Sequence, residues 1–303
     1  MRCIIMVARL LYFSTLFSPR EQERRDTMTG SGSSGVRSVQ LAIDVLEAVA
    51  FSTDELGVTQ IADRLKMTKG SVHRHLQTLV DRGYLAQNPA TSRYLIGPKS
   101  RLLARHAPEA DLVHLAEGPM RQLRDILDQP IVLSEMTPRG ALVLSNLSST
   151  SPIEIGVRPG SELTFHASAQ GKVMLAYAPQ PFRERVLARP LHRFTDKTIV
   201  SARKVEQELQ EVVRLGFASA PEEAMLGLNA VAAPIFDAHD ACVAALAIVG
   251  SIQFVPEKPR QSDVAHLIEA ARQISRKLGH GRSVDQPVAA TRAQRTPRAR
   301  QSS

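Results

Sequence analysis

The sequence predicts two modules of different class: a mostly α N-terminal one closed by a β-hairpin, and an α+β one built on a largely antiparallel sheet. Three observations carry this reading. Before residue 83, apolar residues recur at helical spacing in three short stretches, whereas beyond Pro130 they gather into runs such as IVLSEM and CVAALAIVG. Charge divides in the same way, with ten Lys/Arg against six acids over residues 36–105 but 18 against 20 over residues 106–280. The chain's 303 residues, 43% of them hydrophobic, suffice for two separate cores.

Taken in order, Leu41, Val45, Leu46 and Val49 mark an amphipathic helix over about residues 37–51, ended by a turn at Asp54 to Gly57. Thr59 is read as the cap of a second helix whose Ile61, Ala62 and Leu65 face inward. Thr68 is read as the cap of a third, running to Arg82 with Val72, Leu76, Leu79 and Val80 on one face and Gly83 as its stop. YLAQ and RYLI then flank the turn-rich NPATS as a hairpin. Helix, helix, turn, helix and hairpin is the order of a winged helix-turn-helix, expected over residues 36–97. Residues 98–128 read as linker helices interrupted near Pro108. IVLSEM, ALVLSNL, IEIGV, AVAAPIF and CVAALAIVG read as strands of the second module, residues 129–280, with helices near 168–177, 182–188, 201–215 and 262–278. Residues 1–35 are expected to be a disordered extension or one wrongly included in the reading frame, with Met28 as the start. Residues 281–303 are read as a disordered basic tail.

A recognition helix packs one face on its neighbours and offers donors from the other to base edges and phosphates. The third helix carries Lys69, Gly70, Ser71, His73 and Arg74 at its start and Gln77 one turn on. Gly70 is read as removing bulk where backbone approaches backbone. Arg74 is the candidate for bidentate guanine contact, because its planar fork matches O6 and N7. Thr59 and Arg93 suit phosphate contacts, while His75, nearer the apolar stripe, suits packing. The plain alternative is an ordinary solvated face, or a helix-turn-helix that packs on protein; the steep salt dependence of DNA binding separates these.

Chemistry beyond binding finds little support. His166, Lys172, Glu222, Glu223 and Cys242 are the candidates for catalysis, but none pairs a nucleophile with a base at recognisable spacing, so no enzyme is expected. Lys172 is read as capping or supporting the helix after HASAQG, the adjacent glutamates as pointing apart, and Cys242 as a buried inert thiol. With Cys3 and Cys242 the only cysteines, neither a disulfide framework nor a cysteine zinc site is available. No metal or cofactor is expected. The apolar opening is too short to span a bilayer, and a cytoplasmic protein with no membrane partner is the expectation.

The segments GVTQIADRLKMTKGSVHRHLQTLVDRGYLAQNPATSRYLIGPK, ELTFHASAQGKVMLA, HRFTDKTIVS and EEAMLGLNAVAAPIFD together resemble those of IclR-type transcriptional regulators, over roughly residues 36–280. The resemblance implies a winged helix-turn-helix, a linker helix and a GAF-like effector-binding domain. It also implies double-stranded operator DNA and a small-molecule effector as partners, and a homodimer or dimer of dimers, most simply a repressor. Carried over position by position, it places Leu163, Phe165, Ala169 and Gln170 around an effector pocket completed by Ala220, Ala230, Ala247 and Val249. The family version that binds small oxo-acids typically has Asp, Cys, Ser and Ser at those last four positions. Four polar groups have become apolar here, and a buried carboxylate without donors is costly. A larger, less polar ligand such as an aromatic acid is therefore expected, its polar end near Gln170, Ser168 or His166. The alternative is a packed effector domain with no ligand.

Overall fold

A computed structural model describes residues 36–52, 54–105, 112–151 and 155–281. The N-terminal extension with Met28, the interruption near Pro108 and the basic tail beyond Gly281 lie outside the described residues. The chain divides into two compact units, residues 1–106 and 107–303.

In the first unit, α1 (Arg37–Ala50), α2 (Val58–Leu65) and α3 (Lys69–Asp81) precede a hairpin of β1 (Leu85–Gln87) and β2 (Tyr94–Ile96), followed by α4 (Pro98–Ala104). The apolar spacing does what it predicts: Val45, Val49, Ile61, Val72, Leu76, Leu79, Leu85 and Tyr94 bury one another in a single cluster. Two boundaries are set by local chemistry. Thr68 accepts the Ser71 N–H on its hydroxyl at 3.3 Å and starts α3. At the other end Gly83 adopts φ +77°, with its N–H donating to the Val80 carbonyl and that of Tyr84 to Leu79, the paired bonds of a Schellman stop. The expected capping role of Thr59 is wrong. Gly57 is the N-cap of α2, extended at φ −88°, ψ 162°, and its N–H donates to Gln60 Oε1 at 3.0 Å, so Thr59 already sits inside the first turn.

In the second unit, α5 (Leu112–Leu127), β3 (Ile131–Met136) and β4 (Ala141–Leu147) lead to the short β5 (Glu162–Leu163), then α6 (Ala169–Tyr177), α7 (Gln180–Leu187) and α8 (Ala202–Leu215). The two-residue β6 (Ala218–Ser219), β7 (Leu228–Phe236), β8 (Cys242–Ser251) and α9 (Gln261–Lys277) complete it. The sheet order is β5-β4-β3-β8-β7-β6, and every neighbouring pair is antiparallel. Strand alternation sorts the core into two layers. Ile131, Leu133, Val231, Leu246 and Ile248 pack with residues of α5 and α9. Val132, Ala232, Ala245, Ala247 and Val249 pack with α6 and α8 on the other face. The expected strand IEIGV is not one in its described part: residues 155–157 carry no ladder, and Ile155 and Val157 pack on the α6-side core as loop.

Candidate functional site

On α3 the apolar stripe faces the core, so Lys69, Gly70, His73, Arg74 and Gln77 are exposed together, while Ser71 is half-buried. His75 is half-buried, as its position beside the stripe implies. Gln77 is engaged along its own helix, donating through Nε2 to Asp81 Oδ1 at 2.9 Å. Gly70 requires a correction: a Cβ there would meet no atom within 4 Å, so nothing in this chain crowds it. Its bareness is available only to something approaching from outside. Thr59 is exposed on α2, and Arg93 is exposed on the hairpin, its Nη1 donating to the Glu55 carbonyl at 3.3 Å.

The residues of the expected effector pocket come from β5, α6, β7, β8 and the segments before α6 and after β6, and the apolar ones belong to the core on the α6 face of the sheet. Val132, Ala247, Ala232 and Ala218 are register partners across β3, β8, β7 and β6. One row along, Ala230 pairs with Val249, and the Ala220 N–H donates to the Ala230 carbonyl at 3.0 Å. These small side chains make a shallow wall on which α6 lies closely, with Ala169 to Ala176 all buried. Gly171 lets the Thr164–Phe165 segment pass close to the helix, since a Cβ there would lie 2.4 Å from the Thr164 carbonyl oxygen. Phe165 is buried and meets Phe182 edge-on with centroids 5.6 Å apart; Leu163 is half-buried at the sheet edge.

Polar groups around the start of α6 have different fates. The Ser168 hydroxyl caps the helix, accepting from Gly171 N–H at 3.0 Å and donating to the Thr164 carbonyl at 2.7 Å. His166 places Nε2 at 2.8 Å from the His192 carbonyl, so that nitrogen carries the hydrogen, and the ring stacks on Phe194. Burial, more than the nearby Lys172, holds its pKa below the ordinary value and keeps it neutral. Gln170 is 1% exposed, and neither its Oε1 nor its Nε2 has a hydrogen-bond partner. Ser134 is a residue that sequence reasoning passed over. It pairs with Ala245 on the same face, fully buried, with its hydroxyl unpartnered. A lone serine inside IVLSEM was the signal.

Lys172 does not cap its helix. Its buried ammonium crosses to Glu208 of α8 at 2.5 Å and to Glu223 in the segment before β7. Burial raises the Glu223 pKa against the pull of Lys172. Glu222 turns away at φ 56° and accepts the Gly227 N–H, so the two glutamates do point apart. Burial pushes the Cys242 thiol up to about 12, which leaves it inert. Among the described residues no helix is long and apolar enough to cross a membrane. A small apolar crevice lined by Leu127, Val231, Ile248, Val255 and Val264 lies on the opposite face of the sheet from these groups.

Two family models match the chain, the IclR helix-turn-helix domain over residues 38–89 and the C-terminal domain of bacterial IclR transcriptional regulators over residues 104–276. The chain belongs to the IclR family. Among its relatives, the HTH-type transcriptional regulator BhcR of Paracoccus denitrificans (strain Pd 1222) is 30% identical over 84% of this chain and 92% of its own. The regulator KdgR of Escherichia coli (strain K12) is 30% identical over 81% and 94%. An IclR homologue from Microbacterium hydrocarbonoxydans, solved with 4-hydroxybenzoate, shares the fold with a TM-score of 0.66 at 24% identity, covering 80% of this chain and 98% of that one. This IclR-family chain is thus a transcriptional regulator with a DNA-binding helix-turn-helix and an effector-binding domain, and not an enzyme.

Proposed function

We propose that this IclR-family regulator is a cytoplasmic repressor that reads operator DNA through α3 and the hairpin and responds to an aromatic or otherwise less polar organic acid. Residues 36–97 form the reading domain, 98–128 the linker helices and 129–280 the effector domain. Two-fold pairing, as a homodimer or dimer of dimers, links two half-sites that each monomer reads only weakly alone. Effector binding shifts the equilibrium between arrangements of the paired reading heads.

The single observation that carries the ligand class is Gln170. Ser168 spends its hydroxyl and His166 its Nε2 inside the protein, whereas the Gln170 amide, at the start of the helix that packs on the wall, is buried with both polar atoms unpartnered. A buried amide without partners costs free energy that a ligand's polar end recovers, while the wall favours an apolar body. The 4-hydroxybenzoate bound by the Microbacterium homologue is a compound of that description.

The test is fluorescence anisotropy of the full chain on DNA from its own upstream region against a scrambled duplex, at ~0.15 M salt. Preference for the native duplex is expected, and Arg74→Ala should weaken it by ~1–3 kcal/mol and relax the preference at one base pair. Equal losses on every duplex would demote Arg74 to a phosphate contact. Titration with 4-hydroxybenzoate should change the anisotropy of the native complex. Gln170→Leu should abolish that response while stabilising the unliganded protein by ~1–3 kcal/mol, because two unsatisfied atoms are removed. Tight glyoxylate binding with no response to aromatic acids would overturn the ligand class.

A further inference from the structure

The DNA-binding reading does not say what holds the hairpin in place. Two strands of three residues are too short to hold a fixed position alone, yet Arg93 at their turn must be held in place to meet a phosphate. What holds it comes from another part of the chain. Glu55 lies in the turn between α1 and α2. The next residue, Leu56, runs antiparallel to Tyr94, with N–H to carbonyl bonds of 3.3 and 2.8 Å, so the Glu55 side chain lies against the hairpin turn.

Its carboxylate accepts from Asn88 Nδ2 at 2.9 and 3.1 Å and from Thr91 Oγ1 at 2.8 Å, and its backbone carbonyl accepts from Arg93. The same two side chains also shape the turn. Asn88 Oδ1 accepts the Ala90 N–H at 3.0 Å, Thr91 Oγ1 accepts the Arg93 N–H at 3.3 Å, and Ser92 takes φ 55° between them. Glu55 thereby orients the groups that orient the turn. These hydrogen bonds, Asn88 first, hold its carboxyl below the usual range, so it stays an acceptor.

We propose that Glu55 is a positioning residue for the wing: it fixes the hairpin turn through Asn88 and Thr91, so that Arg93 meets a DNA phosphate in one geometry and contributes to affinity on any duplex. The inference rests on the DNA-binding reading above. Its test uses the full chain and the native and scrambled duplexes. Glu55→Ala removes a negative charge yet should lower affinity for both duplexes about tenfold, since the positioned contact is to phosphate and carries no sequence information. Glu55→Gln should restore most of the affinity, because its amide oxygen accepts from Asn88 and its NH2 donates to the Thr91 oxygen. Thr91→Val, an exposed change at the turn, should give a smaller loss in the same direction. Amide exchange at Ser92 to Tyr94 should quicken in Glu55→Ala and return to normal in Glu55→Gln. Unchanged or tighter binding in Glu55→Ala and Thr91→Val, or a failure of Glu55→Gln to rescue, overturns the proposal. A wild-type chain that binds neither duplex instead removes the DNA-binding reading and takes this inference with it.

Discussion

Helices α3 and α6 begin alike and end up doing opposite things. Each starts behind a hydroxyl that accepts the N–H three residues on, Thr68 to Ser71 and Ser168 to Gly171, and each has a glycine in its first turn. In α3 only the stripe through Val72, Leu76 and Leu79 is buried, and the start of the helix lies open. In α6 every residue from Ala169 to Ala176 is buried, because the sheet lies on one side and α8 on another. A helix start carries free N–H groups and a partial positive charge wherever it lies. Exposed, it suits a large anion such as a DNA backbone; enclosed, it suits only a ligand small enough to enter and shed its water. The neighbours, not the capping, assign the task.

The largest expected effect that sharpens this contrast is at Lys172. Lys172→Met leaves Glu223 buried without its partner, and urea unfolding should register a loss of ~3–5 kcal/mol in the effector-binding unit. No charge removed from α3 brings comparable loss, since none of its charges is buried. The two glycines come next. Gly171→Ala forces a methyl against the Thr164 carbonyl, and thermal unfolding should show a cost of ~1–3 kcal/mol. Gly70→Ala meets nothing in the chain and should be neutral or gain ~0.5–1 kcal/mol in helix propensity, while operator affinity falls if DNA backbone passes there. Equal costs at both glycines would break the comparison. The smallest effect is a pH dependence. His166 has a folded pKa below the ordinary 6.5, so the stability due to its neutral form is complete above about pH 6.5 and is lost as pH falls below it. His166→Phe should flatten that part of the stability profile.

Much of this was legible in order along the chain. IVLSEM and ALVLSNL are β3 and β4 to the residue, and Thr68 and Gly83 bound α3 as their chemistry requires. Capping at α2 was misread because Gly57 with Gln60 competes with Thr59, and the choice depends on where the preceding chain enters. The strands β5 and β6, two residues each, carry no periodicity to detect, and only a longer neighbour makes them strands. The wing is instructive in the same way: NPATS announces a turn, but nothing local says that Glu55, 33 residues before Asn88, will hold it.

Spacing and side-chain type within short windows were enough to give the two classes of module, the helices of the first, the longer strands of the second, the outward face of α3 and the family. Tertiary structure alone decided which polar groups are spent and which are left over. Ser168, His166 and Gln170 are equally polar on paper, and only the positions of Thr164 and His192 show that two are satisfied and the third is not. Hydrogen bonding is short-ranged and directional, so its balance exists only once distant segments have been brought within about 3 Å of one another.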